Sequence, residues 1–469
     1  MVFGGGLMMK VLGFVVFLFF VVQSFCFARV WTDLKGRKIE AEVVEVFPNK
    51  TVKLKRKDGK KMTVPFSMFA EKDVVYLEGV LKKGSGGAQD KMDWKKVDAC
   101  FGFSLWGDDL LWDDSTAEVA KRMKLRKESK TEFLENYRSY PFGRLKILGE
   151  PVFAVALYGG SHAVESISFV FINQGDIPAI QNINKKKLSQ MVEKKIHTSG
   201  KHLRDVLTAR FGKPKRDSLG RGKMREKVWR WDWNTHAIML SVQEKKYVAL
   251  RIMPVEIADR GGKMGKIRAK ELKNQLAHCV ERRENGDVFI KNVPMINQGP
   301  KGYCSPATWE RYLRYMHIPA DMYLLALAAD TGVGGGTYSA EMMEAVKPLV
   351  TGNGRALKEI GSDPSIRLIS RYVDQGLPIF WRLISTPSFQ QAVNNNTARR
   401  LGKPIKKTIV AGQAEDSQSG GHICLIVGYN KKTKEVAISD SWGSRFLERW
   451  VSIDEIKKAS NGTMVVIKW

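Results

Sequence analysis

The sequence predicts a multidomain α+β protein. The chain has 469 residues, which is more than one hydrophobic core usually serves. Its 43% hydrophobic and 27% charged residues are typical of a globular protein. The patterning also changes along the chain, from short alternating strands to mixed helix and strand. We therefore expect, in order, a signal peptide over 1–28, a small β domain over 29–81, a flexible linker over 82–92, an α+β domain over 93–256 and a second α+β domain over 267–469.

The first segment, "MVFGGGLMMKVLGFVVFLFFVVQSFCFA", has the layout of a secretory signal peptide. One lysine precedes an apolar run from Val11 to Val22, and the small residue Ala28 marks the expected cleavage site. An uncleaved membrane anchor is the alternative, although the run is short for a membrane span. No second long apolar run follows. The sequence thus predicts a secreted, periplasmic or cell-envelope protein with no stable membrane span after signal removal.

The charge of the chain bears on its binding partners, and its cysteine content bears on disulfide pairing. The formal net charge is +28, which favours an anionic surface as a partner through long-range attraction. A solvated basic face is the simpler interpretation, and a specific nucleic-acid partner is not expected because no aromatic-basic motif accompanies the charge. The cysteines are too few and scattered for a disulfide framework, and pairing of Cys100 with Cys279 stays open.

Three alternating segments follow the signal: "RKIEAEVVEVF", "TVKLKRKD" and "KMTVPFS". Turn residues separate them at intervals typical of a small antiparallel barrel. The region resembles the Sla-homology domain, an SH3-like barrel of many secreted bacterial proteins. The resemblance implies a peptide-binding or spacer module rather than a catalytic one.

The middle region, 93–256, mixes helical and strand patterns without a catalytic motif. "STAEVAKRMKL" and "GKHLRDVLTARFG" have helical spacing, and "VESISFVFIN" and "HAIMLSVQ" are typical of strands. An inhibitory, targeting or substrate-presenting role is open. Further on, the stretch from Thr386 to Gly421 is expected to be a long loop.

The segment "NQGPKGYCSPATWERYLRYM", 297–316, predicts a tight turn that runs into a helix beginning at Cys304. Trp309 and Leu313 belong to an apolar stripe with helical spacing, and Pro306 suits a first turn. Unpaired N–H groups at a helix start stabilise a thiolate, which is the nucleophilic form of cysteine. A small buried packing cysteine is the alternative.

Two further segments offer partners for a thiolate. His422 in "SQSGGHICLIVGYN" lies on an apolar strand, and Asp440 in "VAISDSWGS" ends another. A strand, turn, strand arrangement brings Asp440 beside His422, where a carboxylate can hold the imidazole and stabilise its cation. Gln298 lies six residues before Cys304 and offers an amide donor for an oxyanion.

Taken in order, these motifs resemble the papain-like cysteine peptidase superfamily. The acidic residue at 440 is similar to the bacteriocin-processing, double-glycine-type peptidases. The resemblance implies that Cys304 is the nucleophile, His422 the general base and acid, Asp440 the orienting group and Gln298 the oxyanion donor. It also implies that Trp442 shields the His–Asp hydrogen bond from water.

The predicted function is hydrolysis of peptide bonds by a secreted cysteine peptidase that acts on a peptide or protein and needs no cofactor or metal. The turn residues Gly302 and Tyr303, with Trp442, are expected to support the substrate cleft. Two alternatives remain: a papain-like fold that transfers acyl groups or only binds peptides, and a zinc site that uses Cys424 with the three catalytic candidates. The substrate and the oligomeric state do not follow from the sequence.

Overall fold

The structure is a computed structural model that describes residues 29–34, 36–47, 50–56, 58–84, 94–106, 111–160, 163–177, 184–299, 302–332, 339–404 and 420–469. Contacts divide the chain into two compact units, Met1–Ala88 and Gln89–Trp469. The predicted signal peptide and most of the predicted linker lie outside the described residues.

In its described residues, the first unit contains a four-stranded antiparallel sheet and one α-helix. Its elements are β1 (Arg29–Thr32), β2 (Lys38–Phe47), β3 (Thr51–Arg56), β4 (Lys61–Pro65) and α1 (Glu71–Gly84). The strands pair in sequence order and confirm the three predicted alternating segments. Trp31 and Leu54 are fully buried in its core. Within the described residues this sheet does not close, so the predicted barrel is not seen.

The second unit begins with an eight-stranded antiparallel sheet, here called sheet one, whose strand order is β11-β12-β13-β14-β10-β9-β6-β5. The elements of this part are α2 (Trp94–Phe101), α3 (Thr116–Arg122), β5 (Arg126–Lys130), β6 (Glu135–Ser139), β7 (Leu145–Ile147), β8 (Glu150–Val152), β9 (Ala154–Gly159), β10 (Val164–Asn173), α4 (Lys185–Phe211), β11 (Lys215–Leu219), β12 (Glu226–Trp233), β13 (His236–Gln243), β14 (Tyr247–Pro254) and α5 (Val255–Asp259).

The rest of the second unit is built on another antiparallel sheet, here called sheet two, in the order β15-β16-β19-β18-β22-β17, with β20 added to β19 and β21 added to β20. Its elements are α6 (Ala269–His278), β15 (Val280–Arg282), β16 (Asp287–Ile290), α7 (Cys304–Tyr315), α8 (Met322–Ala328), α9 (Ser339–Gly352), β17 (Ala356–Glu359), α10 (Ile366–Val373), β18 (Ile379–Ser385), α11 (Pro387–Arg400), β19 (Gly420–Asn430), β20 (Glu435–Ser439), β21 (Arg449–Ser452), α12 (Ile453–Ala459) and β22 (Val465–Lys468). The two sheets and their helices confirm the α+β class.

Helix α7 lies between the two sheets. Trp309, from the predicted apolar stripe, stacks on Phe380 of sheet two with ring centroids 4.2 Å apart. On another side, Arg314 of α7 lies over the ring of Tyr158 in sheet one, at 3.7 Å. Every residue of α7 after Cys304 is buried, including its charged side chains. The helix is therefore fixed by packing on both sides, which is what a precise site at its start requires.

Burial of the charged face of α7 depends on ion pairs with sheet one. Glu310 is fully buried and accepts a hydrogen bond from Arg314 at 3.0 Å. It also pairs with Arg138 of β6, at 3.5 Å, and caps the backbone N–H of Met322 at 2.8 Å. Buried charges are tolerated only when paired in this way.

The prediction of a long loop from Thr386 to Gly421 is wrong for the first half of this segment, where the chain forms α11. Thr386 accepts from the Phe389 N–H as a helix cap, and Pro387 occupies the first turn. Residues 405–419 lie outside the described part.

Two other expectations concern thiols and membranes. Cys100 and Cys279 are both free, so the pairing that the sequence left open is not formed. Among the described helices, none is long and apolar enough to cross a membrane.

Candidate active site

Cys304 is the first residue of α7 and is half-buried. The residue before it, Tyr303, offers no side-chain cap to the helix. The backbone N–H of Ser305, in the first turn, contributes a hydrogen bond to the Cys304 sulfur. The predicted helix start at Cys304 is thus present, with the sulfur at the positive end of the helix dipole.

His422 and Asp440 come from the adjacent antiparallel strands β19 and β20. The pairing of Leu425 with Ser439 places His422 a few residues before this pair and Asp440 directly after it. The His422 Nε2–H group donates to Asp440 Oδ1 at 2.8 Å, and both side chains are buried. Because Nε2 is engaged by Asp440, the other ring nitrogen, Nδ1, is left for the Cys304 thiol, to which His422 is also hydrogen-bonded.

The electrostatics of this arrangement favour a thiolate beside an imidazolium. Burial alone would raise the pKa of the Cys304 thiol, but the hydrogen bond and positive charge of His422, with the backbone N–H groups of Ile423 and Ser305, bring the pKa below its ordinary value. Burial alone would lower the pKa of His422, but the hydrogen bonds to Asp440 and Cys304 raise it to about 9. Since the two shifts reinforce each other, the pair titrates as a unit.

Arg449 on β21 is a site residue that sequence analysis missed. One of its nitrogens donates to Asp440 Oδ2 at 2.6 Å, and another donates to Gln390 Oε1 and Asn394 Oδ1, each at 2.9 Å. Burial alone would raise the pKa of Asp440, but the charge of Arg449, with the hydrogen bond from His422, holds that pKa below its ordinary value. Asp440 therefore stays ionised and oriented toward His422.

A signal for Arg449 existed in the sequence, because the two-residue period of the segment "RWVSI" places it on the same strand face as Val451. Its acceptors Gln390 and Asn394 lie on α11, in the segment that was expected to be a loop. The strand pattern therefore indicates a buried arginine at this position but does not indicate that Gln390 and Asn394 bind it.

A second buried arginine, Arg311, fixes α7 relative to the strand that carries Asp440. Its Nε donates to the carbonyl of Pro294 at 2.8 Å and Nη1 donates to the carbonyl of Ser439 at 3.0 Å. Ser439 directly precedes Asp440. The distance between the start of α7 and the carboxylate is thus set by a rigid, fully buried side chain.

The structure places the other predicted residues in different surroundings. Trp442 stacks on the His422 ring, with centroids 4.7 Å apart and planes at 25°, where it covers the imidazole. The Gln298 backbone N–H donates to the carbonyl of Ser441 at 2.8 Å, which anchors Gln298 beside the same segment. Gly302 is exposed, whereas Tyr303 is buried and accepts a hydrogen bond from Asn173 of sheet one at 2.6 Å. Tyr303 thus anchors the start of α7 to sheet one through its hydroxyl.

Sheet one also holds the loop that carries Gln298. The carboxylate of Glu128 accepts from the Asn297 N–H at 2.7 Å, and the Tyr140 hydroxyl donates to the Asn297 carbonyl at 2.6 Å. Gly299 has φ of 77°, and a Cβ there would lie 3.3 Å from the ring of Tyr140. The loop conformation needs glycine at that position.

The zinc alternative finds no support in the geometry. Within the described residues, no group of three or more histidine, cysteine or carboxylate side chains is arranged to hold a metal ion. Cys424 is fully buried in β19, and burial raises the pKa of its thiol well above the ordinary value.

Residues 290–461 match the Peptidase_C39 like family. The match covers Cys304, His422, Asp440 and Gln298, and it supports a cysteine peptidase-like fold for this segment. Residues 26–84 match SLA1 homology domain 1, which covers all the described strands of the first unit. Both matches confirm the resemblances stated from the sequence. No curated protein matches the chain.

The region matched to the Peptidase_C39 like family begins after sheet one, and the region matched to SLA1 homology domain 1 ends before it. The contacts of Glu128 and Tyr140 with Asn297 nevertheless connect sheet one to the candidate site. In the described residues, the site is therefore built from more of the chain than the matched region.

Proposed function

We propose that the protein is a cysteine peptidase that hydrolyses peptide bonds through Cys304. The observation that carries the proposal is the hydrogen-bonded series from Cys304 through His422 to Asp440, with Cys304 at the start of a buried helix. A thiolate at such a position is well suited to attack a carbonyl carbon, because it is the nucleophilic form of cysteine. The match of 290–461 to the Peptidase_C39 like family supports the same reaction class.

In the first half of the reaction, the Cys304 thiolate attacks the carbonyl carbon of the scissile bond and forms a C–S bond. The negative charge that develops on the carbonyl oxygen is held by the Cys304 backbone N–H and the Gln298 side-chain amide. The imidazolium of His422 then gives its Nδ1 proton to the leaving amine, and the C–N bond breaks. The product of this half is a thioester on Cys304 and a free amine.

In the second half, neutral His422 takes a proton from water, and the hydroxide so formed attacks the thioester carbon. The C–S bond breaks, the carboxylic acid leaves, and the thiolate and imidazolium are restored. Asp440, kept ionised by Arg449, stabilises the positive charge of His422 in both halves. Trp442 covers the imidazole and limits competition by water for its hydrogen bonds.

The test is incubation of the full chain with a library of quenched fluorescent peptides. We expect cleavage by the wild type and none by Cys304→Ala, with the cleaved bond identified by mass spectrometry. Cys304→Ala removes a small half-buried group, so its melting temperature serves as the control for folding.

The products distinguish hydrolysis from acyl transfer. Hydrolysis yields a free carboxylic acid, whereas a transferase yields a new amide when an added amine such as hydroxylamine or glycine amide is present and no acid in its absence. Cleavage that persists in Cys304→Ala, or no reaction with any peptide, contradicts the proposal.

We also propose a secreted or cell-envelope location, which the pattern of residues 1–28 supports. N-terminal sequencing of the protein from cells that export it is expected to show a chain beginning at Arg29. A chain that retains its first residues after export would contradict cleavage of this segment.

A further inference from the structure

A groove with a volume of about 830 Å³ adjoins the candidate active site; we call it the basic groove. The residues that line it include Asn297, the neighbour of Gln298, and Gly443, the neighbour of Trp442. The backbone at Gly443 lies close to Asn297, because a Cβ at Gly443 would be 3.6 Å from Asn297 Nδ2. The groove therefore meets the site at two points, one on each of the loops that carry a site residue.

The walls of the basic groove carry positive charge that acidic side chains of the described residues neutralise only in small part. Lys124, Arg126, Lys127 and Arg144 line it and are all exposed. Of these, Lys127 approaches the carboxylate of Glu135, at 3.9 Å. At that distance the pairing is weak, so most of the positive charge faces solvent.

Among the described residues that line the groove, Glu128 is the single acid, and its negative charge is neutralised by an ion pair with Arg138. Both of its carboxylate oxygens accept from Arg138, at 3.1 and 3.0 Å, and they also accept from the side chain of Asn136 and the backbone of Asn297. The groove thus presents a net positive field to whatever lies in it.

The inner wall of the groove is fixed rather than adaptable. Tyr140 lines it, and its hydroxyl is held by the carbonyl of Asn297 while its ring lies against Gly299. A chain seated in the groove consequently rests against the loop that carries the candidate oxyanion donor Gln298. The groove is therefore continuous with the loop on which Gln298 lies.

We propose that the basic groove binds an acidic segment of the polypeptide substrate that lies a few residues from the scissile bond. The proposal rests on the proposed peptidase function and adds the substrate class. The carboxylates of an acidic peptide would form ion pairs with the exposed Lys124, Arg126 and Arg144. Its backbone would continue past Asn297 to Cys304. A single-stranded nucleic acid fits less well, because its bases need a series of aromatic surfaces and Tyr140 is the one aromatic lining residue in the described part.

The test measures binding rather than turnover. Full-length Cys304→Ala protein is titrated, with fluorescence anisotropy as the readout, against three labelled peptides of about ten residues, which span roughly 35 Å when extended. One peptide contains a block of Asp and Glu, the second replaces these with Asn and Gln, and the third replaces them with Lys. We expect the acidic peptide to bind about tenfold more tightly than the amide peptide, with an advantage that shrinks as salt is raised to about 0.5 M.

The variant Lys124→Glu/Arg126→Glu/Arg144→Glu is expected to lose this preference. The matched control, Lys358→Glu/Arg367→Glu/Lys457→Glu, reverses the same number of charges at exposed positions outside the groove and is expected to keep it. All six positions are exposed, and the melting temperature of each variant verifies that it folds.

The binding results either support the proposal or overturn it. Loss of the acidic preference in the groove variant alone supports the proposal. Equal binding of the acidic and amide peptides overturns it, as does an equal loss in both variants, which would assign the effect to net charge alone. Tighter binding of an oligodeoxythymidine of equal charge than of the acidic peptide also overturns it. Because Cys304→Ala protein is used throughout, failure of the peptidase proposal would leave these binding results unchanged.

Discussion

Replacement of His422 by glutamine is expected to reduce kcat for peptide cleavage by about 10⁶-fold, the loss typical when one member of a nucleophile–base pair is removed. Glutamine retains an N–H group for Asp440 but takes up no proton. The thiol therefore loses both the hydrogen bond and the positive charge that lower its pKa. Steady-state kinetics with the best peptide from the library gives the measurement.

The matched control for this change is His278→Gln, a surface histidine at the end of α6 whose ring contacts the backbone of its own helix. It is expected to leave kcat unchanged. The double variant His422→Gln/Cys304→Ala should lose no more activity than either single variant, because the two groups act as a unit. Additive losses would mean that His422 and Cys304 act independently.

Replacement of Arg449 by methionine is expected to lower the free energy of unfolding by about 3–5 kcal/mol, since it leaves the buried carboxylate of Asp440 without its closest cation. The pKa of Asp440 should rise. A carboxyl group whose pKa is depressed in the folded state stabilises that state above its unfolded pKa, and this stabilisation is lost as pH falls through the folded pKa. In Arg449→Met, Asp440 should become protonated at a higher pH than in the wild type, so the acid limb of the kcat/KM profile should also move to higher pH.

Two comparisons separate positioning from stability. Arg449→Lys keeps a positive charge but lacks the planar fork that reaches Asp440, Gln390 and Asn394 together, and we expect an intermediate effect. Arg355→Met removes a buried arginine that contacts backbone carbonyls elsewhere, so it should lower stability without moving the acid limb. An unchanged acid limb in Arg449→Met would show that Arg449 is purely structural.

The local parts of the site could be predicted from the sequence. The start of α7 follows from the turn residues before Cys304 and the apolar spacing after it. The 2.8 Å approach of Asp440 to His422 follows from one hairpin, because antiparallel neighbours in sequence pair in space. These inferences need only periodicities and a short connection.

The parts that could not be predicted depend on contacts between distant segments. Helix α11 lies in the segment that was expected to be a long loop. Its asparagine-rich sequence has low helix propensity, and packing against β21 overrides that propensity. The burial of the charged face of α7 is also a long-range effect, because Glu310 on α7 pairs with Arg138 of sheet one. Such pairings carry no periodic signal.

If Cys304 and His422 form a thiolate–imidazolium pair, the pH dependence of Cys304 alkylation by iodoacetamide must depend on His422. The rate is followed by mass spectrometry of the Cys304 peptide in the wild type and in His422→Gln. We expect a wild-type midpoint below the ordinary cysteine value of about 8.5 and, in His422→Gln, a midpoint at or above that value, because burial alone raises the pKa of the thiol. A wild-type midpoint at or above the ordinary value that does not move in His422→Gln would show that Cys304 and His422 form no such pair.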